Sequence, residues 1–146
     1  MFRTKLCELL GIQYPIIQGG MVWICMHELA AAVSEAGGLG VLAGGSMTIE
    51  ELAEEITLTK SATKKPFGVN IPLLRPDAEA LIDTTIAGGA AAVVSSAGNP
   101  KRFTQKIHDA GLKVVHVSPN VGLAAKAEVT RLYERWQELA SRSPGP

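Results

Sequence analysis

Residues 14–45, YPIIQGGMVWICMHELAAAVSEAGGLGVLAGG, decide the fold. A short apolar run, Tyr14-Pro15-Ile16-Ile17-Gln18, reaches a glycine pair at Gly19-Gly20. His27 to Ala36 then carries apolar residues at helical spacing and stops at Gly37-Gly38. A second apolar run, Leu39 to Leu42, again ends on a glycine pair, Gly44-Gly45. Strands that are apolar on both faces, joined by a helix, form a βαβ unit of a parallel sheet covered by helices.

The unit recurs outward from this stretch. Upstream, Thr4 to Leu10 reads as a helix with Thr4 as N-cap and Gly11 as its stop. Downstream, Thr48 and Glu51 form a capping box that opens a helix running to about Lys60. Pro66 precedes a third strand, Phe67 to Ile71, and Pro76-Asp77 opens a helix that ends at Gly88-Gly89. Ala91 to Ser95 is a fourth strand, Asn99-Pro100 caps a helix reaching Ala110-Gly111, and Lys113 to Val117 is a fifth strand. From about Asn120 the pattern is helical almost to the end. A closed (β/α) barrel needs eight such units and typically about 250 residues. The chain therefore reads as an open, nucleotide-binding type of sheet or as part of a barrel.

The 146 residues suit one domain. Fourteen basic and fourteen acidic side chains cancel, no basic run is present, and aromatics make up 5% of the chain, which together exclude nucleic acid as the main partner. With 47% apolar and 19% charged residues the chain folds rather than staying disordered. Its longest apolar runs, such as AAAVVSSAG from Ala90, are too short for a bilayer span, and MFRTKLCELLG has no signal-peptide core. Two cysteines imply reduced thiols and a cytoplasmic setting.

The dinucleotide fingerprint G-x-G-x-x-G is missing after the first strand, where QGGMVWICM stands. The nearest match, GGLGVLAGG at 37–45, wraps around a strand instead of joining strand to helix. P-loop, HExxH, CxxC and GxSxG signatures are also absent, so neither a metal site nor a catalytic nucleophile is expected.

The strings LGIQYPIIQGGM, LAAAVSEAGGLGVLAGG, KPFGVNIPLL and GLKVVHVSPNVGLAAKAE, in this order, resemble the N-terminal part of the FMN-dependent nitronate monooxygenases and the related flavin-dependent enoyl-ACP reductases. The resemblance covers about residues 4–128. It implies a partial TIM barrel of about five βα units, with FMN at the C-terminal ends of the strands and a long C-terminal helix. It further implies that Gly19, Gly20 and Met21 form a loop against the flavin and that Asn70 meets the flavin's edge or ribityl hydroxyls. On their own, the glycines are better read as tight strand-to-loop turns, and Asn70 equally as an Asx-type turn before Pro72.

Other residues have plainer readings. Cys25 and Met26 either approach a substrate pocket or are simply buried, and burial is favoured. His27 suits a helix-cap region, His108 a solvated helix face, and His116 a core or rim histidine bonded to a backbone carbonyl. Ser95, Ser96 and Asn99 could meet a cofactor rim, and capping the next helix explains Asn99 equally well. Ser118-Pro119-Asn120 reads as a loop and helix start.

After Glu128 the resemblance breaks. Family members continue to a sixth strand, a Gly-Gly-His segment carrying the catalytic histidine, and glycine-rich loops for the FMN phosphate. This chain reads VTRLYERWQELASRSPGP, with Val129, Leu132, Tyr133, Trp136, Leu139 and Ala140 at helical spacing. The expectation is an incomplete barrel over 1–128 and a helical extension and tail over 129–146, whose stripe packs on the sheet or binds a partner. No catalytic residue is assigned. The implied function is an FMN-dependent oxidoreductase with weak FMN affinity and little turnover from this chain alone. The alternative is a non-catalytic assembly or binding protein on a truncated barrel. Exposed edges of a parallel sheet predict a homo-oligomer, a completing chain, or a terminal helix laid over the open barrel.

Overall fold

Four parallel strands lie side by side in chain order: β1 (Gly40–Leu42), β2 (Phe67–Pro72), β3 (Ala92–Ser96) and β4 (Lys113–His116). The computed structural model describes residues 4–128. Helices α1 (Lys5–Leu10), α2 (His27–Glu35), α3 (Ile49–Ala62), α4 (Ala78–Gly88) and α5 (Thr104–Asp109) alternate with these strands, and residues 121–128 are helical after β4. A doubly wound nucleotide-binding sheet reverses its strand order partway across. Here the order runs β1-β2-β3-β4 without reversal, as it does in a barrel.

The helix ends follow from local chemistry. Thr4 accepts from the Cys7 N–H, and Gly11 closes α1 in the left-handed region at φ 68°. Thr48 accepts from Glu51 N at 3.1 Å while the Glu51 carboxylate accepts from Thr48 N at 2.7 Å, which is the expected capping box. The helix expected from Asn99 to Ala110 is divided. Asn99 Oδ1 caps a single 3-10 turn over Pro100–Arg102, and Phe103 then leaves helical geometry at φ −132° before α5 begins. Phe103, at the break, is buried in the core.

The first expected strand, Tyr14 to Gln18, is reduced to one parallel bridge between Ile17 and Leu39. Pro15 has no N–H to donate, and Ile16 turns back to donate to Tyr14 O at 2.7 Å. Two backbone hydrogen bonds, Leu39 N to Ile16 O and Gln18 N to Leu39 O, tie the segment to the residue just before β1.

The two faces of the sheet are packed differently. The outer face carries Leu42, Val69, Ile71 and Val93 against Leu52, Ile56, Leu81 and Ile82 of α3 and α4. Each such side chain, fully buried, stabilises by about 1.5–3 kcal/mol. Helix α2 sits so close to β1 that a Cβ at Gly40 would lie 1.8 Å from the Ala30 carbonyl oxygen, so only glycine fits there. The inner face carries Leu39, Val41, Ala92 and Val94, packed against Cys7 and Leu10 of α1 and against Ile12. Helix α1 therefore covers the inner face where β1 and β3 begin, and leaves their C-terminal ends to other groups.

No described helix is long and apolar enough to cross a membrane. Val121 and Leu123, in the helical stretch after β4, are exposed. The stripe expected at Val129, Leu132, Tyr133, Trp136, Leu139 and Ala140 lies outside the described residues.

Candidate functional site

Alternation along β2 sends Phe67, Val69 and Ile71 to the outer core and leaves Gly68 and Asn70 on the inner face. Asn70 is paired in register with Val94 of β3, so its side chain stands at the C-terminal end of the inner face. Its Nδ2 donates to Val94 O at 2.9 Å and approaches Ser96 Oγ at 3.4 Å. Both donor hydrogens are directed at β3, and Oδ1 accepts no hydrogen bond from the described residues. An amide fixed in this way presents a half-buried acceptor at the end of the sheet.

The loop after Gln18 comes down on this asparagine. A Cβ at Gly20 would lie 2.8 Å from Asn70 Cβ and 3.1 Å from its Oδ1, so the absence of a side chain lets the loop touch β2. At Gly19 a Cβ would meet nothing within 4 Å, so the space beside that backbone is open. The Met21 N–H is taken by Cys25 Sγ at 3.1 Å, and the Met21 side chain is exposed. Gly19, Gly20, Met21 and Asn70 are thus brought to one end of the sheet, although 50 positions separate Gly20 from Asn70.

This end has the character a flavin needs. It offers bare backbone for the close approach of a flat ring, and an oriented amide oxygen for an N–H or hydroxyl at the ring's edge. A polarisable side chain stands alongside. The residues present fit that group. Among the described residues no cluster of His, Cys, Asp and Glu could hold a metal ion. The cavity of about 260 Å³ beside Trp23 and Met26 lies elsewhere, and its wall carries Glu51, Glu54 and Glu55, which suits neither a phosphate nor a carboxylate.

The remaining candidates resolve into structural roles. His27 begins α2, where Glu55 reaches across from α3 to accept from His27 N at 2.6 Å and to meet its Nδ1 at 3.1 Å. A buried carboxylate thereby caps the positive end of α2. His116 lies on the outer face and meets the Ser95 hydroxyl at 2.9 Å, in place of the backbone carbonyl expected for it. The cause is the β3–β4 register, which sets Ser95 directly beside His116. His108 is exposed on α5, Asn99 caps its turn, and Asn120 accepts from Leu123 N to start the last described helix. Ser96 remains near the site through Asn70.

Two features were not legible from residue types. Arg75 binds Asp77 through two hydrogen bonds of 2.8 and 2.6 Å and donates to Gly45 O at 2.7 Å, tying the loop after β2 to the loop after β1. The Asp77 hydrogen bond raises the Arg75 pKa, and the same bond holds the Asp77 carboxyl below its ordinary value. Trp23 adopts the left-handed region at φ 63° while 76% exposed, a conformation that costs a side-chain-bearing residue on the order of 1–2 kcal/mol. It marks a loop held in shape by its surroundings.

The family model described as nitronate monooxygenase matches residues 3–135. The chain is 38% identical over 125 residues to (3aS,4S,5R,7aS)-5-hydroxy-7a-methyl-1-oxo-octahydro-1H-indene-4-carboxyl-CoA dehydrogenase of Mycobacterium tuberculosis, covering 86% of this chain and 34% of that protein. It is 43% identical over 127 residues to the protein of the same name from Rhodococcus jostii, covering 86% and 35%. Among solved structures, FabK from Thermotoga maritima superposes with a TM-score of 0.84 at 41% identity, covering 88% of this chain and 41% of that one. The chain thus spans about a third of the length of the curated relatives it matches, and its sheet is a partial barrel of the FabK type.

Proposed function

Because the chain belongs to the nitronate monooxygenase family, we propose that it is the flavin-facing N-terminal portion of an FMN-dependent oxidoreductase, with Gly19, Gly20, Met21 and Asn70 along one side of the isoalloxazine ring. The observation that carries this reading is the fit of Gly20 on Asn70 beside the open space at Gly19. Bound flavin supplies the electron transfer, and the protein orients the ring and stabilises charge near it. Asn70 does the orienting. Val94 O and Ser96 hold its Nδ2, so Oδ1 can accept only from a group arriving at the end of the sheet. Gly19 lets a flat ring reach van der Waals distance of the backbone. The exposed Met21 thioether offers a soft contact to its rim.

The two relatives matched over 86% of the chain are named as dehydrogenases of a carboxyl-CoA. Their names favour an acyl thioester over a nitronate as the substrate class. Reaction and substrate are proposed for the whole barrel, and no catalytic residue is assigned among those described. The same reading makes the protein cytoplasmic. It also expects self-association or a completing chain, since no described strand pairs with the far edge of β4.

The test is flavin absorbance of the purified chain, fractionated by size, with and without added FMN. A flavin band co-eluting with a defined species supports the reading, and assays with an enoyl thioester and with a nitronate then decide the substrate class. Absence of flavin from every fraction sinks the cofactor assignment and leaves a non-catalytic binding protein.

A further inference from the structure

We infer that Cys25 is the positioning residue of the glycine loop, its thiol fixing where Gly19 and Gly20 lie against Asn70. The inference rests on the flavin reading for its purpose, but not for its geometry. Cys25 is completely buried, and its sulfur lies at the centre of the loop it closes. Gln18 Nε2 donates to Sγ at 2.7 Å from the residue before the glycines, and Met21 N donates at 3.1 Å from the residue after them. Sγ itself donates to Gly19 O at 3.3 Å. One atom thus holds both ends and the middle of the Gln18–Met21 segment. The Cys25 backbone carbonyl in turn accepts from Ala43 N at 3.1 Å, which anchors the sulfur to the end of β1.

Gln18 supplies an independent sign that this arrangement is imposed. Its Nε2 is shared between Cys25 Sγ and Val41 O, while its Oε1 is buried without any partner. Turning the amide over would set Oε1 against the Val41 carbonyl, acceptor to acceptor. The orphaned oxygen is therefore what remains once the amide has been committed to the sulfur and to β1. Buried orphans of this kind are uncommon and call for a reason. Segment 14–18 joins the sheet through a single bridge, so little else holds the glycines in place.

Alanine at position 25 would remove all three sulfur contacts, whereas serine keeps an acceptor and a donor on a shorter bond. The experiment compares the wild-type chain with Cys25→Ala and Cys25→Ser, reading amide deuterium uptake over residues 19–26 without flavin and FMN affinity by fluorescence quenching. In Cys25→Ala, loop exchange rises about tenfold and FMN binds about tenfold more weakly with an altered flavin absorption band; Cys25→Ser restores most of both. Unchanged exchange in Cys25→Ala overturns the inference, as does faster exchange with unaltered FMN affinity. If wild-type chain binds no FMN, the flavin reading fails while the exchange comparison still decides whether the thiol holds the loop. Gln18→Leu, which removes only the amide donor, gives the same comparison if Cys25→Ala does not fold.

Discussion

Gly20 rests on Asn70 so closely that a Cβ on the glycine would lie 2.8 Å from the asparagine's own Cβ. The loop after the first bridge and the end of β2 therefore form one fitted surface. The asparagine amide is turned toward β3 by Val94 O, and its oxygen is left at the rim.

A methyl at Gly20 has no room, whereas one at Gly19 enters open space. Gly20→Ala is expected to lower stability by about 1–3 kcal/mol through overpacking and to weaken FMN binding with it. Gly19→Ala should leave stability within about 0.5 kcal/mol while still reducing FMN affinity, because its methyl occupies the ring's side of the loop. Thermal unfolding and FMN titration of both variants separate the two effects. Equal stability losses would show that the space at Gly19 is not open.

The capping box of α3 is predicted to matter independently of the site. Thr48→Ala removes the acceptor of the Glu51 N–H and should cost about 1 kcal/mol, a fall of roughly 3 °C in the unfolding midpoint for a chain of this size. Flavin affinity should not change, since α3 packs on the outer face.

Arg75 and Asp77 give a pH signature. Through its hydrogen bond to Arg75, Asp77 has a folded pKa below its ordinary 3.8. A carboxyl depressed on folding adds stability above its ordinary value and loses it as pH falls through the folded value. Arg75 stays charged throughout, its own pKa being raised. Asp77→Asn should therefore be less stable than wild type by a constant amount at neutral pH, and the gap should close below about pH 4. The pair is partly open to solvent, so the difference is small and shrinks further in salt. Urea midpoints across that range, at low and high salt, check both statements.

Legibility differed from element to element. Thr4 with Gly11, and Thr48 with Glu51, could be read because a cap uses residues a few positions apart, and the structure bears both out. Gly88-Gly89 closes α4 and Gly44-Gly45 follows the end of β1, as read. Tyr14 to Gln18 has a strand's composition but only one bridge, because Pro15 and the Ile16-to-Tyr14 turn spend the hydrogen bonds a strand would use. His116 finds Ser95 through inter-strand register, which no single-chain pattern contains. Gly20 and Asn70 could be joined only through family resemblance, since nothing in their spacing links them. Burial of Cys25 was expected from residue type, but its three hydrogen bonds depend on the loop folding back onto it.

Strictly sequential strand order has a consequence in time. Each strand pairs with the one made just before it, so a chain leaving the ribosome always presents a finished edge to the next unit. Helix α1 is the exception. Leu10 shares its cluster with Val94, 84 positions later, and at about 5–20 residues per second of synthesis that is a wait of roughly 4–17 s. During that interval helix α1 has only Leu39 and Val41, a part of the inner face, to cover. Nascent chains arrested before β3 should leave Cys7 open to a thiol reagent, and chains released after β4 should protect it; equal labelling at both lengths would mean that α1 docks on β1 alone.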